Sequence, residues 1–531
     1  MVYRTTAVGA FLGGVTSLPL LALFYLGNRL AGLPFVPFDL FDWLARVLPG
    51  AWVTVGIDTI VGVIRQFGLG ATDTTAKQIE SVLALGLVVI GGILLGAVLA
   101  WAVRRRPQHG RPIGALAGLL LFLLVAAIEL TFGLAGNPAL ALAWLALLYG
   151  SWGALLGLLL VRTVPAPATA QPLPSRRTLL TQIAAGSLGV AVAAWGAGWL
   201  LARQPTRTGA GRPLTSADLA PTPGATQPPP TATPEERLPP APGTRAEITP
   251  NADFYRIDIN VRPPVVDGAT WALETSGLFD NARTFTLADL MAFPAVTVPL
   301  TLSCISNPIG GDLISASNWT GLRLRDLLAE LGLQSTATAL AVTAVDGFYE
   351  SVTMTDLMDP RTLLVYGMNG ATLPVEHGFP LRIYIPNRYG MKQPKWITGL
   401  APVDEAAPGY WVERGWSAAA RPQILSIIDT VAQNEPTADR NIPIGGIAWA
   451  GDRGIQAVEV QVDEGAWQLA HLRTPLSPLI WVQWRYDWPS QPGTHTFRVR
   501  ATDGAGTLQI GEPSGVRPDG ATGYHTVTAT I

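Results

Sequence analysis

Five long apolar runs occupy most of the first 202 residues, and they constrain the fold more than any other feature. The runs cover about residues 7–27, 81–103, 113–132, 138–162 and 178–201. Each is close to the roughly 20 apolar residues that a helix needs to cross a bilayer. The composition agrees with a membrane portion, because only 14% of all residues are charged and the mean hydropathy is +0.31. We therefore predict an α-helical membrane region with about five spans over residues 1–202.

A further apolar segment, residues 51–67, differs from these runs. It is shorter, and it carries Asp58 and Arg65. Short segments with charged side chains are typical of helices that lie at a membrane surface. We interpret this segment as an interfacial or re-entrant piece rather than a sixth span.

Basic residues predict the orientation of the spans, since loops rich in Lys and Arg favour the cytoplasmic side. They cluster at 104–106 and Arg111, between the second and third runs, and at Arg176-Arg177, before the fifth. Both loops are therefore expected in the cytoplasm. Five spans then leave the N-terminus inside and all residues after 202 on the extracytoplasmic side.

Three further regions follow the apolar one. Residues 203–248 are rich in Pro, Thr, Ala and Gly, which predicts an extended linker. Residues 249–420 mix short alternating apolar segments with short helical patterns, so we expect an α+β domain there. Residues 421–531 contain short strands separated by turn signals, the spacing of an all-β immunoglobulin-like sandwich. The predicted fold is therefore multi-domain, with a helical region, an α+β domain and a β-sandwich.

Cys304 is the only cysteine in the chain. It follows a β-type run at 296–302 and begins a loop rich in Gly, Asn and Ser, so it is expected at the end of a strand. Pro299 inside the run argues for an edge strand or a bulge. From the residues alone, three roles stay open: a small buried apolar residue, a nucleophile, or a soft thiolate ligand of a metal.

A series of short segments follows Cys304 in a fixed order. They are Leu302 to Asn307, Gly310-Gly311, 314–321, 368–370, Leu373-Pro374, 377–380, Arg382 and 392–396. This series resembles the cofactor-ligand segments of the sulfite oxidase superfamily of molybdopterin-dependent oxidoreductases, and the resemblance covers roughly residues 251–531. In that family a cysteine thiolate ligates molybdenum, and a dithiolene pterin supplies two more sulfurs. The resemblance therefore implies that Cys304 is the metal ligand and a catalytic residue.

The same resemblance implies which residues hold the cofactor. The pterin ends in a phosphate, which needs cations and backbone donors in a pocket. His377 is implied to hydrogen-bond the pterin, and Gln393 to contribute through backbone groups. The full implied set of cofactor-binding residues is Asn307, Asp346, His377, Arg382, Lys392, Gln393 and Lys395.

The implied reaction is a two-electron oxygen-atom transfer, but the chain departs from the family where the substrate binds. Sulfite-oxidising members carry an arginine just after the cysteine loop, where this chain has Pro308-Ile309. A second family arginine is replaced at Ile257-Asp258, although Arg256 is close by. The family's active-site tyrosine is expected near Phe348-Tyr349. With fewer cationic donors, sulfite is expected to bind less well, and a neutral sulfoxide or another small oxo-acceptor is at least as good a candidate.

The segment from Ser175 to Leu180 looks like an internal twin-arginine export signal, although an ordinary positive-inside anchor also explains the Arg pair. A pterin cofactor is inserted in the cytoplasm, so the domain must cross already folded, which favours the export signal. We therefore expect a multi-pass protein of the cell membrane with its catalytic domain on the extracytoplasmic side.

The partners implied are a small-molecule substrate and a separate electron carrier, either a cytochrome or quinone-linked. No predicted span contains a histidine, and the chain has no Cys-x-x-Cys-His motif, so molybdenum is the expected redox centre. The C-terminal region resembles the family's dimerisation domain, which implies a homodimer. A net charge of −2 gives no indication of nucleic-acid binding. Two alternatives stay open: a cofactor-free cell-surface binding protein that reuses the fold, and a cysteine-nucleophile enzyme.

Overall fold

The computed structural model describes residues 2–133, 137–163, 176–202 and 238–531. These residues divide into two compact units. The first, the helical unit, comprises residues 2–48, the described part of 75–202, and 259–262. The second, the β-rich unit, comprises residues 49–74, 238–258 and 263–531. Residues 49–74, which the sequence predicts to belong to the membrane region, thus lie in the β-rich unit.

Seven helices precede the first strand in the described part of the chain. They are α1 (Val2–Ala31), α2 (Val36–Val47), α3 (Gly50–Phe67), α4 (Thr72–Arg105), α5 (Gly110–Phe132), α6 (Pro138–Thr163) and α7 (Arg176–Ala202). Five helices are long and apolar enough to cross a membrane, and they contain the five predicted runs: Thr5–Ala31, Thr72–Arg105, Pro107–Phe132, Pro138–Thr163 and Arg177–Leu200. Helix α3, over the ambiguous segment, is not one of the five.

Aromatic contacts join helices that are far apart in sequence within the helical unit. Tyr25 of α1 stacks on Trp195 of α7 with ring centroids 4.5 Å apart. Phe24 of α1 meets Tyr149 of α6 at 5.7 Å. The outward faces are also apolar, since large side chains such as Leu120 and Leu147 are exposed. A helix that is apolar on every side is typical of a buried or a membrane-spanning position.

Two sheets and three short helices form the first part of the β-rich unit. One sheet has the order β2-β1-β10-β5-β6, in which only β1 and β10 are parallel. The other has the order β3-β4-β7-β8, with β9 also paired to β7. The elements are β1 (Ala272–Thr275), β2 (Thr284–Thr286), α8 (Leu287–Met291), β3 (Ala295–Ser303), β4 (Ile314–Arg323), α9 (Leu324–Leu331), β5 (Ala339–Ala344), β6 (Tyr349–Thr353), α10 (Met354–Leu357), β7 (Leu363–Met368), β8 (Ala371–Thr372), β9 (Arg382–Tyr384) and β10 (Ile397–Val403).

Strand β3 lies at the edge of its sheet and carries Cys304 directly after its last residue. It pairs antiparallel with β4, with Ser303 opposite Ile314 and Pro299 opposite Asn318. The edge position that Pro299 predicted is therefore confirmed. A proline is tolerated there because, on an edge strand, its missing N–H interrupts no sheet ladder.

The C-terminal part contains two four-stranded antiparallel sheets, with the orders β11-β12-β16-β15 and β14-β13-β17-β18. Both sheets contribute side chains to one apolar core, which includes Ile444 and Phe497. The strands are β11 (Leu425–Val431), β12 (Ile442–Trp449), β13 (Ile455–Val462), β14 (Gln468–Leu469), β15 (His471–Leu472), β16 (Val482–Trp488), β17 (Thr494–Asp503) and β18 (His525–Thr530).

The end of the predicted linker, residues 238–248, packs against these C-terminal strands. The Arg245 guanidinium donates to both carboxylate oxygens of Asp429 at 2.7–3.1 Å. Gln483 Nε2 donates to the carbonyl oxygen of Arg245 at 2.7 Å. Composition alone predicted a tether through residue 248, but side-chain contacts hold its last part. Residues 203–237 of that prediction lie outside the described residues.

Gly321 lets β4 and β7 approach closely, which leads to the first prediction. The register of the two strands shifts between Thr320 and Gly321, and a Cβ atom on Gly321 would lie 2.1 Å from the carbonyl oxygen of Leu364. Gly321→Val is therefore expected to force the strands apart and lower the free energy of unfolding by about 1–3 kcal/mol or more. Thermal unfolding followed by circular dichroism measures this. Gly515→Val is the control, because a Cβ atom there has open space; equal stability of the two variants would contradict the packing argument.

Candidate active site

The loop after β3 holds Cys304 in place through backbone and side-chain hydrogen bonds. The Cys304 N–H donates to the carbonyl oxygen of Leu313 at 2.9 Å, which extends the β3–β4 ladder by one residue. Asn307 Oδ1 accepts from the Leu313 N–H at 3.0 Å, and this hydrogen bond across the loop stabilises its conformation. Gly310 has φ of 70°, a left-handed conformation that favours glycine at this turn.

The Cys304 thiol is buried among polar groups as well as apolar ones. The residue is 7% exposed, and its Sγ lies 3.0 Å from the Ser306 hydroxyl. Burial raises the pKa of this thiol, and the Ser306 hydrogen bond opposes that shift only in part. In the protein alone the thiol is therefore neutral. A bound metal cation would stabilise the thiolate instead, since metal ligation deprotonates cysteine.

Arg382 is the most deeply buried cation near the site. It is 5% exposed at the start of β9, and its guanidinium carbon lies 4.8 Å from the Trp319 ring centroid. Its Nη1 donates to the carbonyl oxygen of His377 at 3.1 Å, while its Nε has no hydrogen-bond partner among the described residues. Burial lowers the pKa of Arg382 to about 10, and Tyr255 opposes that shift.

Lys395 joins the same group of charges. Its Nζ lies 3.4 Å from Asp258 Oδ2 and donates to the carbonyl oxygen of Glu376 at 3.0 Å. Burial lowers the pKa of Lys395 to about 8; Asp258 opposes the shift, whereas the positive charges of Arg382 and Arg256 reinforce it. Arg256 and Arg382 thus both act on Lys395, and the three cations lie in a largely buried region.

His377 lies within this positive region and stays neutral. It is 4% exposed, and its Nε2 lies 3.2 Å from the carbonyl oxygen of Asn251. Because a carbonyl oxygen only accepts, Nε2 carries the ring proton. Burial, reinforced by the charges of Lys395 and Arg382, lowers the pKa of His377 to about 3.

The remaining predicted cofactor residues divide into two groups. Asp346 is buried, accepts from the Phe348 N–H at 3.0 Å, and acts electrostatically on Lys395. Lys392 instead forms a buried ion pair with Glu350. Gln393 Nε2 donates to the carbonyl oxygens of Ile385 and Arg388 at 3.2 and 2.9 Å. The Lys392 side chain therefore pairs with Glu350, and that of Gln393 with backbone carbonyl oxygens, rather than with the cation group.

Two tyrosines that sequence reasoning missed lie beside the thiol. Tyr255 is affected electrostatically by both Cys304 and Arg382, so it connects the thiol to the cation group. Tyr389 is buried, accepts from the Gln423 N–H through its hydroxyl at 3.0 Å, and is also affected by Cys304. Burial is the main cause that raises the pKa of each. An active-site tyrosine was expected near Phe348-Tyr349. The Tyr349 hydroxyl instead hydrogen-bonds the Glu413 carboxylate.

Asn369 is a third residue whose role the sequence did not reveal. It has φ of 50°, a left-handed conformation that asparagine tolerates better than most residues. Its Oδ1 accepts from the Asn318 N–H at 2.9 Å, and its Nδ2 donates to Asn251 Oδ1 at 2.8 Å. Asn369 therefore ties strand β4 to the segment that precedes Tyr255. The usable signal was the Asn-Gly pair at 369–370, which is typical of a tight turn.

His525 of β18 brings the C-terminal region to the Cys304 loop. Its Nδ1 accepts from the Ile428 N–H at 3.0 Å, so the proton of the neutral ring is on Nε2. The Nε2 edge faces Gly310, where a Cβ atom would lie 2.3 Å from the ring. A concave surface beside this contact is lined by Asn307, Pro308, Ile309, Tyr389, Gln423 and Ser426.

These features fit an anionic cofactor that ends in a metal. Arg382 offers an unpaired buried N–H, and the three cations are compensated by two carboxylates, Asp258 and Asp346. A phosphate would supply the missing acceptors and negative charge. The thiol of Cys304 provides one soft ligand, and no group of three or more His, Cys, Asp or Glu that could hold a metal ion occurs among the described residues. Any further metal ligands would therefore have to come from the cofactor itself.

Comparison with known proteins agrees with this chemistry. Residues 260–411 match the family described as the oxidoreductase molybdopterin binding domain. An uncharacterized oxidoreductase of Bacillus subtilis (strain 168), YuiH, is 30% identical over 154 residues, which cover 29% of this chain and 76% of YuiH. Human mitochondrial sulfite oxidase is 28% identical over 304 residues, which cover 48% of this chain and 56% of the human protein. The crystal structure of the sulfane dehydrogenase SoxCD from Paracoccus pantotrophus aligns with a TM-score of 0.47 at 22% identity, covering 54% of this chain and 82% of that one.

The buried thiol, the cation group and these matches define a molybdopterin-binding oxidoreductase, whose cofactor is molybdenum held by molybdopterin. Within that class, the chain belongs to the sulfite oxidase superfamily. It spans 56% of the human and 53% of the rat sulfite oxidase, and 68% and 69% of those of Arabidopsis thaliana and Gallus gallus.

The neutral state of His377 gives a pH-dependent prediction for the cofactor-free protein. The unfolded chain protonates this ring below about pH 6.5, whereas the folded protein does so only near pH 3. Between these values the unfolded state binds more protons, so this contribution lowers stability as pH falls and is absent above pH 6.5. His377→Gln should reduce the slope of unfolding free energy against pH by up to about 1.4 kcal/mol per pH unit in that window. Chemical unfolding at a series of pH values measures the slope; identical slopes for both proteins would contradict the burial of a neutral ring.

Proposed function

We propose that the chain is a membrane-anchored molybdopterin oxidoreductase that transfers an oxygen atom and two electrons between the metal and a small neutral molecule. The observation that supports it best is that the Cys304 thiol and the buried Arg382 guanidinium both act electrostatically on the buried Tyr255 phenol, so the three groups share one region of the protein. When bound, the cofactor supplies the redox chemistry and the oxygen transfer. The chain then has to hold the cofactor, exclude water and position the substrate.

Each side chain near the thiol has a proposed task. Cys304 ligates the metal, and the hydrogen bond from the Leu313 N–H to Asn307 keeps the Cys304 loop fixed. Arg382 and Lys395 bind the anionic end of the pterin, where Asp258 and Asp346 limit the excess of positive charge. His377 hydrogen-bonds the pterin as a neutral ring, and Lys392 and Gln393 contribute by shaping the backbone on which Lys395 sits.

The loop after Cys304 supports a neutral substrate. The concave surface at this loop is lined by Pro308, Ile309 and the phenol of Tyr389, where sulfite-oxidising relatives carry an arginine. Moving an anion from water to such a surface costs hydration without a charged partner in return. A sulfoxide or another small oxo-acceptor avoids that cost, because its dipole needs only hydrogen-bond donors.

The five apolar helices support a membrane anchor, since their exposed faces carry Leu, Ile and Val rather than charges. The basic residues at 104–106 and at Arg176-Arg177 support cytoplasmic loops there and an extracytoplasmic β-rich unit. A separate cytochrome or quinone-linked carrier exchanges the electrons.

We further propose that the paired C-terminal sheets are an immunoglobulin-like sandwich that forms a homodimer; sedimentation analysis tests the dimer.

Replacing Cys304 tests the central role. Cys304→Ser is expected to reduce molybdenum from about one atom per chain to a small fraction and to abolish activity with an artificial electron dye. Its fold should survive, because the hydroxyl fits the space of the thiol. Elemental analysis, a dye assay and circular dichroism measure these three results, with Ser490→Ala, an exposed site, as the control. Full molybdenum and activity in Cys304→Ser would refute the ligand role, and wild-type protein without molybdenum would favour the cofactor-free binding protein.

Replacing Arg382 tests the anionic pocket separately. Arg382→Gln removes a buried cation, and a charged hydrogen bond contributes about 1.5–3 kcal/mol, so cofactor affinity should fall about 10- to 100-fold. Without cofactor, the variant should unfold at the same or a higher temperature, because an uncompensated charge is gone. Pterin retention after dialysis and thermal unfolding measure the two effects. Arg325→Gln is the matched control, since Arg325 is exposed on α9; equal pterin loss in both variants would contradict the role of Arg382.

A further inference from the structure

Helix α3 presents an exposed apolar stripe, although it belongs to the β-rich unit. Trp52 is 73% exposed and Phe67 66% exposed, and Val55 and Val63 lie exposed between them. Together with the exposed Thr59, these residues follow one another at steps of three or four, which places all five on one face of the helix. A contiguous exposed apolar patch characteristically marks a surface that binds something.

Nothing in the described part of the chain covers this face. A Cβ atom on Gly56 or Gly62, which lie on the outward side of α3, would have no heavy atom within 4 Å. The two charged side chains of the helix, Asp58 and Arg65, lie together on one flank of the stripe, and Arg517 Nη2 donates to Asp58 Oδ1 at 3.1 Å. The helix is therefore amphipathic, with an open apolar stripe and a charged border.

The opposite face of α3 and the segment after it are held by the β-rich unit. Ile64 on that face is buried. Beyond the helix, the Thr72 N–H donates to Asp312 Oδ2 at 2.8 Å, and Asp312 lies in the loop that follows Cys304. The position of α3 is thus tied to that of the Cys304 loop by contacts within one unit.

We propose that α3 binds a lipid surface through its apolar stripe and thereby holds the Cys304 loop at the boundary between membrane and water. Tryptophan is enriched at that boundary, and amphipathic helices lie in its plane with their apolar face towards the acyl chains. Helix α3 ends at Phe67, and the candidate span α4 begins at Thr72. This continuity with an apolar helix favours lipid as the occupant over a second copy of the chain or a separate protein.

The proposal rests on the proposed membrane anchor but not on the oxidoreductase chemistry. The sequence predicts an interfacial piece that belongs to the membrane region. Because α3 instead belongs to the β-rich unit, the surface that binds lipid is part of the unit that carries Cys304.

Spin labelling of the full-length protein in lipid nanodiscs tests the stripe. Since Cys304 is the only cysteine, Cys304→Ser gives a background in which one added cysteine takes the label. Oxygen partitions into lipid, whereas a charged nickel chelate stays in water. A label at Val55→Cys should therefore show a several-fold higher ratio of oxygen to nickel collisions than a label at Arg65→Cys, the matched control on the charged flank of the same helix. A label at Leu120→Cys, exposed on the candidate span α5, reports the lipid environment itself.

A second measurement leaves Cys304 intact. Benzoylphenylalanine in place of Phe67 should, on illumination, attach to a lipid acyl chain, and mass spectrometry detects the adduct. Circular dichroism establishes that each labelled variant retains its helices. Should the Cys304→Ser background fail to fold, this crosslink decides the question alone: a lipid adduct would support the proposal, and a crosslink to protein only would overturn it.

The outcomes separate this proposal from the membrane anchor. If the Leu120 label is shielded from nickel while the Val55 label meets it as freely as the Arg65 label does, the anchor stands and the lipid-binding stripe is refuted. A Val55 label shielded from both oxygen and nickel would also refute it, because protein would then cover the stripe. Free access of nickel to the Leu120 label would refute the anchor, and the stripe with it.

Discussion

Burial of three cations around one neutral histidine is the constraint on which the catalytic region depends. Arg256, Arg382 and Lys395 all act on His377, and Asp258 and Asp346 oppose the effect of the two arginines on Lys395. Buried charge is costly unless it is paired and hydrogen-bonded. The depressed pKa values of Arg382 and Lys395 are the sign of that cost. An anionic ligand would remove it, which supports the proposal that these residues bind a phosphate-bearing cofactor.

The Cys304 loop is fixed from both sides of the strand that leads to it. Strand β4 pairs with one edge of β3, and the other edge is covered by a C-terminal segment. There the Thr301 N–H donates to the carbonyl oxygen of Leu479 at 3.1 Å, and the Trp481 N–H donates to Thr301 Oγ1 at 2.9 Å. An uncovered edge is free to pair with other chains and to shift. The C-terminal region therefore contributes to the geometry of the thiol, whatever its role in assembly.

Local sequence patterns were sufficient for the elements but not for the neighbours of the thiol. The apolar runs predicted five long helices, and Pro299 predicted an edge strand, because both signals depend on a few adjacent residues. Tyr255, Tyr389 and His525 reach the Cys304 loop through folding of segments that are distant in sequence, and nothing in their own segments indicates this. The same holds for residues 49–74, whose Thr72 N–H donates to Asp312 Oδ2 at 2.8 Å, next to that loop. Periodicity describes one element at a time, whereas a site is made by contacts between elements.

These long-range contacts set the charge of the surface at the Cys304 loop, which bears on the charge of the proposed substrate. Two cations act on His525 at the mouth of the loop, Arg245 and Arg65. Arg245 is neutralised by its two-oxygen contact with Asp429, and Arg65 is exposed, so solvent and salt screen it. Burial also lowers the pKa of His525, which leaves its ring neutral. The loop therefore presents N–H donors without a buried charge, which supports the proposed dipolar oxygen acceptor rather than an oxyanion.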